Sequence, residues 1–286
     1  MNRIRVITCV QGREALTKAF IWQLQHIRAE LGIDLPLSVA VSEEEDKQLI
    51  EEVGLTDKCN LVVTPNSPLS EKHNKVLQSA MREKDWDLLL HLGSDDIVSV
   101  EYVKALLEME IEENTIYGVR EIYFYNPAQE KMKKFAYIGD RLIGAGRVFP
   151  RQVLELTKGK KWVYTRPYYG MVEGSEQYIP DGMTAKIKER KLANLDTRSK
   201  AKHVLWVGRK NSGLDQESGR VLRELGVKEV CIENLFNKPQ IIDIKLRGEN
   251  ITPWERIGGY TLTQEQMTSE FLRISASELI SGQDEA

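Results

Sequence analysis

Hydrophobic positions in the first third of the chain switch between two periods. Residues 3–10, Arg3-Ile4-Arg5-Val6-Ile7-Thr8-Cys9-Val10, form a β-branched run closed by Gln11-Gly12 and read as a strand. Over 13–31 the apolar residues Leu16, Ala19, Phe20, Leu24, Ile27 and Leu31 fall on one helical face, and Gly32 supplies the stop. A second strand over 35–41 leads to Glu43-Glu44-Glu45-Asp46, acids that suit the positive end of a helix dipole. A third strand covers 59–64. After the turn residues 65–68, Ser70 is placed to cap a helix with His73, Val76, Leu77 and Ala80 on its inner face. A fourth strand, 86–92, carries Leu88-Leu89-Leu90 without alternation, the pattern of burial on both faces. Ser99 then starts a helix to about residue 111. Four strands separated by helices predict a parallel sheet with right-handed crossovers.

The second half is patterned differently. Residues 115–126 and 131–138 predict a hairpin with Asn126-Pro127 in its turn. Gly144-Ala145-Gly146 precedes Arg147-Val148-Phe149, and Pro150 opens a short helix through Leu156. Residues 158–205 are aromatic and basic without clear period. Leu214, Ser218, Val221, Leu222 and Leu225 mark a helix stopped by Gly226, and strands are expected over 229–233 and 240–244. An amphipathic, acidic helix is expected from Leu262 to about Ile280, with an apolar stripe able to dock on a partner or on its own domain.

Composition narrows the class. The 286 residues are 41% hydrophobic and 29% charged with a net charge of −3, which predicts a globular α/β protein and gives no global basic field for nucleic acid. Basic residues gather only locally, at Lys186, Lys188, Arg190, Lys191, Arg198, Lys200 and Lys202, downstream of Trp162, Tyr164, Tyr168 and Tyr169. That stretch reads either as an acceptor or lid loop or as a solvated insertion. Cys9, Cys59 and Cys231 form no C-x-x-C pair, and no apolar run approaches a membrane span. The expectation is a soluble protein of a reducing, cytoplasmic compartment.

Candidate chemistry concentrates at Leu92-Gly93-Ser94-Asp95-Asp96-Ile97. Ligands of open α/β sheets bind beyond the carboxyl ends of strands. A buried strand ending in paired carboxylates puts hard oxygen ligands there, fit for Mg²⁺ or Mn²⁺ and hence for phosphate oxygens. The alternative is that Asp95 or Asp96 only caps the following helix. Asp243 and Lys245 also follow a strand and so are expected to face the same site, where Lys245 could contact a diphosphate although its spacing does not mark it for that. His73 and His91 read as packed residues rather than metal ligands, and His203 is unassigned.

Five segments in order carry a resemblance. Val6 to Arg13, Lys72-His73-Asn74, Asp87 to Asp96, Gly144-Ala145-Gly146-Arg147 with Arg151 to Glu155, and Gly213 to Gly226 together resemble the family 2 glycosyltransferases of the GT-A type, over residues 3–227. The resemblance implies a doubly wound, mostly parallel sheet with an antiparallel acceptor-side part and a helical tail. It implies a nucleotide-sugar half over 1–113, an acceptor half over 114–261 and an extension over 262–286. The implied partners are a nucleotide-diphospho-sugar donor and a saccharide or other hydroxyl acceptor. The implied chemistry is inverting transfer with Mn²⁺ or Mg²⁺ on Asp95 and Asp96.

Thr8 and Val10 would then lie near the nucleobase, and Lys72, Asn74 and Arg147 would belong to the donor site. For Lys72 the alternative is a solvated helix lysine; for Arg147, a simple pairing with an acid. Asp215 would be the general base, or else a dipole-stabilising acid at a helix start. The pattern departs from the family at Gly93, where the first acid of the D-x-D motif would stand, and at Leu214, where the glutamate of the E-D motif would stand. Residues 160–205 form an insertion. Two further readings follow: a nucleotide-sugar-binding or assembly protein without turnover, and a nucleotidyltransferase, for which Gln11-Gly12-Arg13 offers only one phosphate-loop glycine.

Overall fold

The structure, a computed structural model, describes residues 1–52, 59–66, 69–136, 141–158, 162–165, 170–173, 205–206, 214–232, 239–246, 254, 257 and 259–262. The expected 262–280 helix, His203 and the basic cluster at 186–202 lie outside the described residues.

The first half alternates as the pattern predicts: β1 (Ile4–Cys9), α1 (Glu14–Leu31), β2 (Leu37–Val41), α2 (Glu44–Glu52), β3 (Cys59–Val63), α3 (Leu69–Arg82) and β4 (Leu88–His91). These four strands pair in parallel in the order β3-β2-β1-β4. The left-handed backbone at Gly32 (φ 60°) ends α1, with its amide bonded to the Arg28 carbonyl. Helix α3 begins at Leu69, so Ser70 sits buried in its first turn instead of capping it.

Beyond β4 come β5 (Asp96–Val98), α4 (Val100–Glu108), β6 (Thr115–Gly118), β7 (Glu121–Asn126), β8 (Lys131–Ala136), β9 (Arg147–Pro150) and α5 (Arg151–Glu155). Then follow β10 (Trp162–Thr165), β11 (Gly170–Glu173), α6 (Leu214–Glu224), β12 (Lys228–Cys231), β13 (Ile241–Ile244) and β14 (Tyr260–Thr261). Strands β6, β9 and β12 extend the first sheet to seven strands, β12-β6-β9-β4-β1-β2-β3, in which only β9 runs against its neighbours. A second sheet has the order β14-β8-β7-β13-β5. The result is a mixed α/β fold with a mostly parallel sheet and an antiparallel part, as the resemblance implies.

The stretch 115–126 is not one strand. It divides at Val119-Arg120, giving β6 to the first sheet and β7 to the second. The β7–β8 hairpin is as expected, with the Asn126 side chain accepting from the Gln129 amide across a single 3-10 turn.

The core explains the continuous leucines of β4. Leu88 and Leu90 pack with Phe20, Leu24 and Ile27 of α1 and Tyr102, Val103 and Leu106 of α4 on one face of the sheet. On the other face Leu89 packs with Val76, Leu77 and Ala80 of α3 and Val221 and Leu222 of α6. All three leucines are fully buried, each contributing about 1.5–3 kcal/mol by transfer from water. Leu16 and Ala19 of α1 instead pack with Tyr123, Tyr125, Ile242 and Ile244 of the second sheet. Ser99 caps α4 by accepting the Tyr102 amide at 3.0 Å, and its hydroxyl lies 2.6 Å from Gln240 Oε1 just ahead of β13. Thus the element that follows the Asp95–Asp96 turn is tied directly to the strand that carries Asp243.

Candidate active site

At the carboxyl end of β4 the chain turns through Gly93–Asp95 into β5. The turn is closed by its own acid: the Gly93 amide donates to Asp96 Oδ2 at 2.6 Å, and the Asp96 amide donates to the Gly93 carbonyl at 3.2 Å. A Cβ on Gly93 would lie 2.7 Å from Asp95 Oδ1 and 3.1 Å from Asp96 Oδ2. A side chain there would have to push the two carboxylates aside, a steric reason for glycine at this position.

A third carboxylate arrives from far along the chain. β13 runs antiparallel to β5 with Asp243 opposite Asp96, and the Ile244 amide donates to the Asp95 carbonyl at 2.8 Å. Ligand atoms of Asp95, Asp96 and Asp243 lie within 4.8 Å of one another. Two cations face them. Arg13, in the loop after β1, is 3.1 Å from Asp95 Oδ2; Lys245 is 2.6 Å from Asp243 Oδ1 and 3.7 Å from Asp95 Oδ2. All five side chains are largely shielded from water. Burial, and then the charge of Asp95, lifts the Asp96 carboxyl to about 7. Asp243 is held well above the ordinary carboxylate range by the same two causes, against the pull of Lys245. Asp96 therefore holds its proton to a higher pH than an ordinary carboxyl, and a doubly charged cation would compete with that proton. Three oxygen donors on two strand ends, with a lysine ammonium already seated among them, fit a hard divalent cation.

Asp215 lies in the first turn of α6, opposite the Gly144–Gly146 loop. Its carboxylate fills the space that a Cβ on Gly144 would take. Gly146 has φ 70°, and a Cβ there would meet Ile241 Cδ1 at 2.6 Å. The two glycines thus admit Asp215 on one side and β13 on the other. Asp215 is an exposed residue, and its charge acts on both Asp96 and His91. Asp215 is therefore electrostatically within reach of the carboxylate cluster.

The other candidate residues are placed as follows. Thr8 is fully buried in β1, level with Val39 of β2. Val10 is buried at the end of β1, its amide bonded to the Ala40 carbonyl at 2.9 Å. Lys72 is fully buried, not a solvated lysine; Nζ donates to the Val10 carbonyl at 2.5 Å, Ser42 Oγ at 2.6 Å and Asn66 Oδ1 at 3.2 Å. It ties the carboxyl ends of β1 and β2 together, and burial lowers its pKa. Asn74 clamps the 205–206 stretch, donating to the Trp206 carbonyl and accepting the Leu205 and Trp206 amides at 3.1 Å each. Arg147 donates to the Leu142 and Asp215 carbonyls and to Ser218 Oγ, at 2.8–3.1 Å. It braces the start of α6, using its charge on helix and loop carbonyls.

His73 and His91 are packed, with His91 Nε2 3.2 Å from His73 Nδ1 and both rings about Trp206. Burial lowers His91 to about 4. Arg13 stands in the sequence at the end of the Val6–Arg13 segment, and no helical or strand period marks it as a partner of Asp95.

No protein-family model matches the chain, and no curated protein matches it. Solved structures similar to it include the catalytic domain of Drosophila β1,4-galactosyltransferase 7 in complex with xylobiose, at 11% identity over 94% of this chain and 80% of that one, TM-score 0.45. The galactosyltransferase LgtC, in complex with donor and acceptor sugar analogs, matches at 10% identity over 40% of this chain and 46% of its own, TM-score 0.30. A cytidylyltransferase from Leptospira borgpetersenii matches at 12% identity over 54% and 61%, TM-score 0.31. The chain spans about half the length of LgtC. GT-A nucleotide-sugar glycosyltransferases are thus among the structures this chain is similar to. Among the described residues, no helix is long and apolar enough to cross a membrane.

Proposed function

We propose that this chain is a glycosyltransferase that moves a sugar from a nucleotide-diphospho-sugar to an acceptor hydroxyl, with inversion and with a divalent cation. The observation that carries the reading is the convergence of Asp95, Asp96 and Asp243 at the carboxyl end of β4, with Asp215 seated against Gly144 and its charge felt at Asp96. In this account residues 1–113 bind the donor and 114–261 contribute most of the acceptor side.

Asp95, Asp96 and Asp243 would hold Mn²⁺ or Mg²⁺ through one oxygen each, and Arg13 would keep Asp95 in place. The bound cation would supply positive charge against the diphosphate as it leaves. The loop after β1 and the ends of β1 and β2, with Thr8 and Val10, form the floor for the nucleoside, stiffened by Lys72. Asp215 takes the proton of the acceptor hydroxyl as its oxygen bonds to the anomeric carbon and the bond to the diphosphate oxygen breaks. A positioned carboxylate contributes roughly 10²–10⁴-fold to such a step. Arg147 positions Asp215 by holding its carbonyl, while Asn74 shapes the neighbouring wall through residues 205–206.

The test is donor turnover. Purified protein is incubated with UDP-, GDP- and CMP-sugars and Mn²⁺, and nucleotide release is followed. Release from one donor class, abolished in Asp95→Asn, supports the reading. No release from any, with binding of one retained, favours a nucleotide-sugar-binding protein, which the apolar Leu214 beside Asp215 would then mark.

A further inference from the structure

Lys245 sits in an unusual place for a surface-type side chain. It leaves β13 two residues after Asp243, and its amide donates to the Tyr125 carbonyl at 2.7 Å, which fixes the backbone there. The residue is only 6% exposed. Its ammonium touches two of the three carboxylates, at 2.6 Å from Asp243 Oδ1 and 3.7 Å from Asp95 Oδ2, and lies 5.4 Å from the Phe124 ring centre. A divalent cation bonded to that Asp243 oxygen, at about 2.1 Å, would come within roughly 5 Å of Nζ. Two positive groups cannot share these oxygens at low cost when the site is shielded from water.

We infer that Lys245 is a resident counter-cation which the metal displaces, and that this exchange couples metal binding to diphosphate binding. The inference rests on the metal-site reading given above. Without ligand, the ammonium neutralises Asp243 and Asp95 and holds the cluster together. When a divalent cation takes the carboxylates, the ammonium loses its partners. Its flexible four-carbon stem then lets it turn to the nearest new anion, the oxyanions of a diphosphate on the same cation. Metal alone must bind against Lys245, whereas metal with diphosphate gives Lys245 somewhere to go. Each ligand therefore raises the affinity of the other by the same factor.

The test compares two titrants, Mn²⁺ alone and the preformed Mn²⁺–pyrophosphate complex, on wild type, Lys245→Met and Lys245→Arg by isothermal titration calorimetry. Lys245→Met is expected to bind Mn²⁺ alone about tenfold tighter or better than wild type, from loss of one competing charge. The same variant is expected to bind the pyrophosphate complex no tighter, because the ammonium that meets the diphosphate is gone. Lys245→Arg keeps the charge and is expected to stay near wild type with Mn²⁺ alone; Lys245→Gln replaces Lys245→Met if the latter does not melt cooperatively. An equal gain for both titrants in Lys245→Met makes Lys245 a fixed background charge and overturns the coupling. An unchanged Mn²⁺ affinity in Lys245→Met, with binding still lost in Asp243→Asn, overturns the competition while leaving the metal site standing. Absence of Mn²⁺ binding in wild type and every Lys245 variant overturns both.

Discussion

Gly93 and Gly144 each make room for a carboxylate, and the two positions bear on where the chain departs from the glycosyltransferase pattern it resembles. An acid at 93 would crowd Asp95 and Asp96; the third carboxylate comes from Asp243, across the β5–β13 pairing. Asp215 stands without a neighbouring glutamate, but the missing Cβ at Gly144 gives its carboxylate a seat. Gly144→Ala is therefore expected to displace Asp215 and lower turnover by roughly 10²–10⁴-fold, the range for a lost general base. Donor affinity should stay within a few-fold in a calorimetric titration. Equal losses in turnover and donor affinity would mean that the loop serves binding, not Asp215. Asp243→Asn is expected to abolish Mn²⁺ binding as completely as Asp95→Asn, because in the proposed site both would supply an oxygen to one ion. Mn²⁺ affinity unchanged in Asp243→Asn would remove Asp243 from the site.

The elements that position these residues differ in how far their pattern showed them. β1 to β4 and α1 to α4 stand in the chain as short β-branched or apolar runs alternating with helical segments, with recognisable stops such as Gly32, so local physics was enough. The Asp95–Asp96 turn was legible because β4 is continuously apolar and then abruptly acidic. β5 was not: three residues between a turn and a helix carry no period, and its partner β13 lies far along the chain. The division of 115–126 was equally hidden, since Thr115 to Asn126 reads as one β-favouring run and only tertiary pairing sends its halves to different sheets. Lys72 shows the same limit, a helix lysine whose burial depends on Val10, Ser42 and Asn66 meeting at the sheet edge. Ser99 joins the two levels, capping α4 and bonding Gln240. Ser99→Ala is expected to lower stability by about 1–2 kcal/mol in urea unfolding, the usual cost of a lost N-cap. It should also weaken Mn²⁺ binding, because Gln240 leads into the strand of Asp243. A stability loss with unchanged Mn²⁺ affinity would confine Ser99 to capping.

For the molecule as a whole, the buried carboxylates couple stability to pH. Asp96, at about 7 when folded against an ordinary value of 3.8, keeps its proton in the native state after the unfolded chain has released it. Its contribution therefore falls as pH rises from 3.8 to about 7, and Asp243 acts in the same direction. His91 does the reverse, since a histidine buried neutral costs stability as pH falls from 6.5 towards 4. The opposing effects overlap below pH 6.5, so the carboxylates act alone above it. The melting temperature of metal-free protein is expected to fall from pH 6.5 to about pH 8, and less so in Asp96→Asn. A flat profile in the wild type would mean that Asp96 is ionised in the fold without a metal. A cation bound at these carboxylates would compete with the Asp96 proton, which would link the pH profile to the proposed function.

That link makes ligand-dependent melting the most direct measurement of the central claim. Wild type, Asp95→Ala and Asp215→Asn are melted with a panel of nucleoside diphosphates and nucleotide-sugars, each with and without Mn²⁺. A ligand at a hundredfold excess over its Kd adds about 2.7 kcal/mol to the native state. The account predicts a Mn²⁺-dependent rise with one nucleotide in wild type and Asp215→Asn, and no rise in Asp95→Ala. A nucleotide-dependent rise that is the same without Mn²⁺ and in Asp95→Ala, or no rise with any nucleotide, would contradict it.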